Sequence, residues 1–125
     1  MFILNDTNKI VFKDSLSHTK LSISYRMPTT DEVISYIHEK YSNPNLTIRD
    51  ISLLQMKYAK NLLTGIGKAN FGIVVDDKII PLSSDKKDPD YREDWKGLLC
   101  DYYPQLILLF ANHVLEPNIQ VIEKN

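Results

Sequence analysis

The sequence predicts a single α+β domain, spanning residues 1–125, in which an N-terminal antiparallel β-meander and a later β-hairpin pack with about four helices. Two observations lead to this fold class. Strand-like patterning occurs in the first 26 residues and again over residues 71–82, whereas apolar residues recur at helical spacing elsewhere. The length of 125 residues, with 43% hydrophobic and 25% charged residues, suits one globular core.

The N-terminal strands are predicted from side-chain type and alternation. Residues 9–13 are rich in β-branched and aromatic side chains, and residues 21–26 alternate apolar with polar side chains. A third short apolar run, residues 2–4, is separated from them by the turn-forming residues 5–8. An antiparallel meander is the simplest arrangement of these strands.

The first helix is predicted to start after Pro28 and to run to about Tyr41. Thr29 is a suitable N-cap, and Glu32 stands three residues later as its capping-box partner. Spacings of three and four give this helix one apolar stripe, formed by Val33, Tyr36, Ile37 and Tyr41.

The second helix is predicted to begin at Thr47, with Asp50 in its first turn. Its apolar stripe consists of Ile51, Leu54, Tyr58 and Leu62. Gly65 and Gly67 are expected to end this helix in a left-handed conformation, which glycine adopts without strain.

A β-hairpin is predicted over residues 71–82, with a short turn at Asp76-Asp77-Lys78. Proline has no backbone N–H to donate, so Pro81 requires an unpaired strand edge. We expect this hairpin to pair with the N-terminal strands.

Two more helices are predicted after a polar loop at residues 83–90. Asp88 is expected to cap the third helix, with Pro89 at its first position. Its stripe consists of Tyr91, Trp95, Leu98, Leu99 and Tyr102. Pro104 starts the last helix, which runs to about Leu115 and is apolar almost all round, so it requires burial on more than one side.

Local motifs indicate no metal site and no catalytic centre. The three histidines lie in different predicted elements, without a metal-binding partner three or four residues away. Tyr36 and Lys40 match the Tyr-x-x-x-Lys pair of short-chain dehydrogenases, but the glycine-rich nucleotide fold is missing, and Lys40 is interpreted as a solvated residue. We therefore expect no cofactor and no enzymatic activity. A dispersed active site is the alternative that local motifs do not test.

Three further motifs are better interpreted as structural features. Gly65-Ile66-Gly67-Lys68 lacks the spacing of a phosphate-binding loop and follows a helix instead of a strand. The acidic stretch at residues 85–94 lacks the ligand pattern of an EF-hand. Cys100 lies in a helical stripe with no basic neighbour to stabilise a thiolate.

Charge and cysteine content indicate a protein of a reducing compartment. The net charge is -1, which gives no general attraction to nucleic acid, and there is one cysteine. No signal peptide and no apolar run of membrane-spanning length is recognisable, so we expect a cytoplasmic protein.

A small DNA-binding regulator is the alternative function. The predicted helix 29–41, helix 47–63 and hairpin 71–82 follow the order of a winged helix-turn-helix. The basic residues of the corresponding recognition helix are only Arg49, Lys57 and Lys60. This weak positive charge makes nucleic acid an unfavourable partner.

Two motifs resemble those of small phage tail-assembly chaperones and related prophage tail proteins. The first is the strand end and helix start Tyr25-Arg26-Met27-Pro28-Thr29-Thr30-Asp31-Glu32. The second is Asp94-Trp95-Lys96-Gly97-Leu98-Leu99, followed by Tyr103-Pro104 and an apolar helix. The resemblance implies a cytoplasmic, non-enzymatic protein that binds tape-measure or tail-tube subunits during tail assembly.

The partner-binding residues expected on this basis are Arg26, Trp95, Tyr102, Tyr103 and Phe110. Large aromatic side chains concentrate binding energy at protein interfaces. Trp95 and Tyr102 share a helical stripe with leucines, so core packing is the competing interpretation for them. Arg26 is expected to anchor a carboxylate, either that of Glu32 or one on the partner.

Overall fold

The computed structural model describes residues 8–116, so the strand predicted over residues 2–4 lies outside the described residues. Within them are four helices and two small antiparallel sheets, which confirms the α+β class. The elements in chain order are β1 (Asn8–Lys13), β2 (Lys20–Tyr25), α1 (Thr30–Tyr41), α2 (Ile48–Leu62), β3 (Leu63–Ile66), β4 (Gly72–Val75), β5 (Lys78–Pro81), α3 (Trp95–Tyr102) and α4 (Pro104–Leu115). No helix in this part of the chain is long and apolar enough to cross a lipid bilayer.

The first sheet has the strand order β1-β2-β3, with antiparallel pairing throughout. Its third strand overturns the prediction that Gly65 and Gly67 end the second helix in a left-handed conformation. The helix ends at Leu62, and Leu63 is extended (φ -67°, ψ 130°), which carries the chain directly into β3 beside Tyr25. No described glycine has a positive φ. The edge of β2 supplies hydrogen-bond partners at this point, and burial of Leu63 further stabilises the strand.

Gly67 serves close packing instead of ending a helix. A Cβ atom at this position would overlap the side chains of Ser22 and Asn70. Asn70 occupies that space because its Oδ1 accepts hydrogen bonds from the backbone N–H of Ser22 (3.0 Å) and from the Ser22 hydroxyl (3.2 Å). A larger residue at position 67 would therefore disturb the contact between β2 and the chain that follows β3.

The second sheet is the predicted hairpin, formed by β4 and β5. Asp76 (φ 51°) and Asp77 (φ 61°) are both left-handed, as a two-residue turn of this kind requires. The prediction that the hairpin pairs with the N-terminal strands is wrong, because β3 occupies the edge of β2 and the hairpin remains a separate sheet. Pro81 ends β5, which in this two-stranded sheet has one unpaired edge.

Local capping explains where α1 and α2 begin. Thr29 and Glu32 form the predicted capping box, and Thr47 and Asp50 form a second one. The predicted start of the third helix at Asp88 is wrong, because α3 begins at Trp95. The side chain of Asp88 instead accepts a hydrogen bond from the backbone N–H two residues later, at 2.9 Å, which holds that segment in a turn.

The core is formed mainly by α2, α4 and the inner face of the first sheet. α4 buries Ile107, Phe110, Ala111 and Val114, which confirms that this helix is covered on more than one side. α2 buries Gln55, Ala59 and Leu62, so its predicted stripe is correct only at Leu62, and Ile51, Leu54 and Tyr58 are half-buried. The small side chain of Ala59, which is fully buried, allows close approach of the neighbouring elements.

The apolar stripe predicted on α1 does not face the core. Tyr36 is buried, whereas Val33, Ile37 and Tyr41 are exposed. The side of α1 that carries Tyr36 contacts α2. There the Tyr36 ring meets the Tyr58 ring edge-on, with the ring centroids 5.5 Å apart, a distance common for aromatic pairs. α1 is therefore a peripheral helix whose apolar side is open to solvent.

Candidate functional site

An open groove of about 770 Å³ lies between the β1–β2 turn and the corner where α3 meets α4. We refer to it as the corner groove. Its apolar lining residues are Phe12, Leu21, Tyr102, Tyr103, Pro104, Leu106 and Leu109. Its polar lining residues are Lys13, Asp14, Ser15, Ser17, Thr19, Asn70 and Gln105. The volume falls within the range of small-ligand sites, and the mixed lining suits a segment with both apolar and polar groups.

The corner itself follows from two adjacent residues. Tyr103 is at once the C-cap of α3 and the N-cap of α4, and Pro104 occupies the first turn of α4, where a proline needs no backbone N–H. No loop separates the two helices. Tyr102, the last residue of α3, is 51% exposed at the groove, whereas Tyr103 is half-buried.

Tyr103 fixes the wall of the groove to the β4–β5 hairpin. Its hydroxyl donates to the carbonyl oxygen of Gly72 at 2.6 Å and accepts from the Gly72 N–H at 3.3 Å. Its ring packs edge-on against Phe71, with centroids 5.1 Å apart. This wall of the groove is therefore held in place before any partner binds.

The β1–β2 turn forms an ordered opposite rim. Asp14 accepts hydrogen bonds from the Ser17 hydroxyl (2.6 Å) and the Ser17 N–H (2.9 Å), which lower the pKa of the Asp14 carboxyl. Lys13 and Lys20 lie directly opposite each other in the strand register. No carboxylate of residues 8–116 forms a salt bridge with either lysine. Two like charges at facing positions repel, so an anionic group would be stabilised beside them.

Two of the predicted partner-binding residues lie in the core. Phe110 is fully buried, its ring meeting that of Tyr25 edge-on with centroids 5.1 Å apart. Trp95 is buried as well and belongs to the same hydrophobic cluster. Tyr102 and Tyr103, by contrast, line the corner groove. We therefore assign Trp95 and Phe110 to the core and retain Tyr102 and Tyr103 in the candidate site.

Arg26 was expected to anchor the carboxylate of Glu32 or one on a partner, and in the structure it binds Glu32. Its guanidinium binds Glu32 through two hydrogen bonds of 2.6 and 3.0 Å, and the Thr29 N–H donates to the same carboxylate at 2.9 Å. The guanidinium lowers the pKa of Glu32 to about 2. Arg26 thus joins the end of β2 to the first turn of α1, and it does not line the corner groove.

Replacing Arg26 with alanine is expected to lower the free energy of unfolding by about 1 kcal/mol near neutral pH, since the Arg26 side chain is 37% exposed and solvent screens the pair. The folded pKa of Glu32 lies below its ordinary 4.5, so the stabilisation is complete above pH 4.5 and is lost as the pH falls toward 2. Urea denaturation at about pH 7 and about pH 3 measures both effects.

Arg92→Ala is the matched control for this prediction, because it removes an exposed ion pair with Asp94 (3.1 Å) that does not connect two elements. We expect a change of no more than about 0.5 kcal/mol from that control. A loss from Arg26→Ala that is equal at both pH values would contradict the assignment to Glu32.

A partly buried polar cluster at the end of α4 was not predicted from the sequence. Its members are Tyr36, Lys40, Gln55, Asn112 and Glu116, and we call it the α4-end cluster. The Tyr36 hydroxyl and the Lys40 ammonium each donate to Oε1 of Glu116 at 2.7 Å. Gln55 Nε2 donates to the same oxygen at 3.3 Å and to Asn112 Oδ1 at 3.0 Å. Lys40 is therefore not the solvated residue that its sequence context suggested.

Electrostatics in the α4-end cluster favour the charged pair. Burial, the largest single influence on Glu116, raises the pKa of its carboxyl, but the hydrogen bonds from Lys40, Tyr36 and Gln55 outweigh burial and leave that pKa below its ordinary value. The hydrogen bond to Glu116 raises the pKa of Lys40. Burial raises the pKa of the Tyr36 hydroxyl. The tyrosine and lysine of the Tyr-x-x-x-Lys motif are thus both directed to a structural carboxylate.

No group of three or more histidine, cysteine, aspartate or glutamate side chains within residues 8–116 is placed to hold a metal ion. Burial raises the pKa of the Cys100 thiol, which disfavours the nucleophilic thiolate. The corner groove is suited to binding, through its apolar floor, its hydrogen-bonding rims and one lysine, Lys13.

Comparison of the chain with protein-family models, with curated proteins and with solved structures found no match.

Proposed function

We propose that this chain is a protein-binding domain and that the corner groove receives an apolar segment of its partner. In line with the sequence resemblance, the proposed partner is a tape-measure or tail-tube subunit of a phage tail. The chain would accompany that subunit in the cytoplasm as a tail-assembly chaperone or accessory tail protein. The observation that carries the proposal is the exposure of two large side chains, Tyr102 (51%) and Leu109 (59%), at one preformed groove.

The composition of the groove supports a protein partner. Interfaces between proteins combine an apolar centre, often with tyrosine, and a polar rim that hydrogen-bonds to the partner or to water. Tyr102 and Leu109 supply the apolar centre, and Ser17, Thr19 and Gln105 supply the rim. Lys13 adds a positive charge at one end, so the partner segment we propose has a carboxylate beside its apolar residues.

Tyr102→Ala and Leu109→Ala are each expected to weaken binding about 10-fold or more, because both remove apolar contact at the centre of the groove. The binding partners to use are the purified tail-tube and tape-measure proteins of the genome that encodes this chain, with affinity measured by isothermal titration calorimetry. Leu53→Ala is the matched control, since Leu53 is similarly exposed (54%) on α2 and does not line the groove. Affinity should be unchanged in that control.

Three outcomes would contradict the proposal. The first is a gene neighbourhood without tail genes together with no binding to either tail protein. The second is binding that survives both groove substitutions. The third is retention of duplex DNA that fades as salt increases, which would favour the regulator alternative. One of the basic residues of α2, Lys57, already forms a salt bridge with Glu39 at 3.5 Å.

A further inference from the structure

The side of β1 that faces away from β2, which we call the β1 edge, carries backbone groups that no other described strand uses. β1 is the end strand of the first sheet. The Asp14 N–H donates to the Thr19 carbonyl at 2.9 Å, so these two residues form a hydrogen-bonded pair. In an antiparallel ladder, such pairs alternate with pairs whose backbone groups point away from each other. Lys9, Val11 and Lys13 belong to pairs of the second kind, so their N–H and C=O groups lie on the β1 edge.

Hydrogen bonds on the other side of β2 lead to the same alternation. Ser22, which lies opposite Val11, donates its N–H to Asn70 Oδ1 at 3.0 Å, and its carbonyl accepts from the Gly67 N–H at 2.9 Å. Both backbone groups of Ser22 thus point away from Val11. The two residues are therefore a non-hydrogen-bonded pair, and the N–H and C=O of Val11 are available for pairing on the β1 edge.

Lysine side chains give the β1 edge a positive charge. Lys9 and Lys13 are exposed and lie on the same face of the sheet on either side of Val11, and Lys20 lies opposite Lys13. Within the described part of the chain, none of these lysines forms a salt bridge. Because like charges at neighbouring strand positions repel, the lysines disfavour a second copy of β1 or any basic strand here. A strand that carries carboxylates would relieve the repulsion.

We infer that the partner segment binds as an added β-strand on the β1 edge and that it alternates acidic with apolar side chains. This inference rests on the proposed function, because it specifies how the segment proposed there is held. Hydrogen bonds to the backbone of Lys9, Val11 and Lys13 supply affinity, as they do where an extended peptide joins an exposed sheet edge. The side chains of the segment then supply specificity.

The alternation follows from the different surroundings of the two faces of the added strand. Successive side chains of a strand point to opposite faces of the sheet. On the exposed face, carboxylates of the segment lie beside Lys9 and Lys13. On the other face, its apolar side chains continue the row formed by Ile10 and Phe12, which pack against the core. Phe12 lines the corner groove together with the exposed Leu109, so this row leads into the groove.

Two synthetic peptides of about nine residues test the inference on the full chain, one alternating glutamate with valine and the other lysine with valine. The acidic peptide is expected to bind at least about 10-fold more tightly than the basic one in fluorescence anisotropy. Val11→Pro removes the central N–H of the β1 edge and leaves the bonds between β1 and β2 in place. It should weaken binding of the acidic peptide about 10-fold relative to Val11→Ala, which keeps that N–H. Thermal melts check that both variants are folded.

Amide hydrogen exchange of the unchanged chain gives a second measurement that needs no variant. The Val11 N–H should exchange at least about 10-fold more slowly once the acidic peptide is bound. The Phe12 N–H is the internal control, because Phe12 forms a hydrogen-bonded pair with Leu21 and its exchange should be slow with or without peptide.

The inference is overturned if the acidic peptide does not bind or binds no better than the basic one. It is also overturned if folded Val11→Pro binds as tightly as Val11→Ala. Slow exchange of the Val11 N–H without peptide would overturn it too, because residues 2–4, which the sequence predicts as a strand, would then be the occupant of the β1 edge. None of these measurements uses a tail protein, so their failure is distinct from a failure of the proposed function.

Discussion

Replacing Phe110 with alanine is expected to lower the free energy of unfolding by about 3–5 kcal/mol, the largest effect of any single change considered for this protein. Phe110 is fully buried in α4, and its ring packs against Tyr25 of β2. Removing the ring leaves a cavity where the last helix meets the first sheet. Because a domain of this size has an unfolding free energy of about 5–15 kcal/mol, the variant should be close to unfolding at ordinary temperatures.

Urea denaturation compares Phe110→Ala with Leu109→Ala, its neighbour on the same helix. Leu109 is exposed, so its replacement should cost less than about 1 kcal/mol while weakening the proposed binding. The two variants thus separate the contribution of α4 to the core from its contribution to the corner groove. A loss below about 1 kcal/mol for Phe110→Ala would contradict its burial and would return Phe110 to the predicted partner-binding residues.

Glu116→Ala is expected to lower the free energy of unfolding by about 2–3 kcal/mol. The change removes the acceptor shared by Tyr36, Lys40 and Gln55, and it leaves the Lys40 ammonium, whose side chain is only 17% exposed, without its ion-pair partner. Chemical denaturation of Glu116→Ala, Lys40→Ala and the double variant would give the coupling energy of the pair. Losses that simply add would contradict the direct interaction.

The pH dependence of this cluster has two limbs. The pKa of Glu116 is lowered from 4.5, so its contribution is present above pH 4.5 and is lost as the pH falls through the folded value. The pKa of Lys40 is raised from 10.5, so its contribution is present below pH 10.5 and is lost as the pH rises through the folded value. The loss of unfolding free energy caused by Glu116→Ala should therefore be largest between pH 4.5 and pH 10.5.

Features specified by neighbouring residues were predictable from the sequence. The capping boxes at Thr29 and Thr47 each use a partner three residues away, and the turn at Asp76 and Asp77 uses adjacent left-handed residues. Pro104 likewise marks the start of α4. Each of these signals acts within one turn of chain, so its outcome does not depend on the rest of the fold.

Features that depend on distant contacts were not predictable. β3 exists because the chain after α2 meets the edge of β2, a partner about 40 residues earlier that no local pattern indicates. The exposure of Val33, Ile37 and Tyr41 on α1 depends on which side of that helix meets α2. The α4-end cluster joins Tyr36 to Glu116 across 80 residues, so the Tyr-x-x-x-Lys spacing gave no indication of its carboxylate partner.

Some residues of the corner groove were predicted from the sequence, and others were not. Tyr102 and Tyr103 were identified because large aromatic side chains concentrate binding energy at protein interfaces. Phe12, Lys13 and Leu109 were not, since they enter the site only when the β1–β2 hairpin lies against the α3–α4 corner. No pattern in either segment specifies that approach.

The direct passage from α2 into β3 also determines where the chain can tolerate a change of length. No residue lies between Leu62, which ends the helix, and Leu63, which begins the strand. One inserted residue there would either turn the helix by about 100° or reverse the two faces of the strand. Residues 43–45 and 85–87, which are exposed and lie between elements, are free of that constraint, whereas Thr47 caps α2 and Ser83 is buried. Fluorescent labels or tags for the binding experiments therefore belong in these two segments.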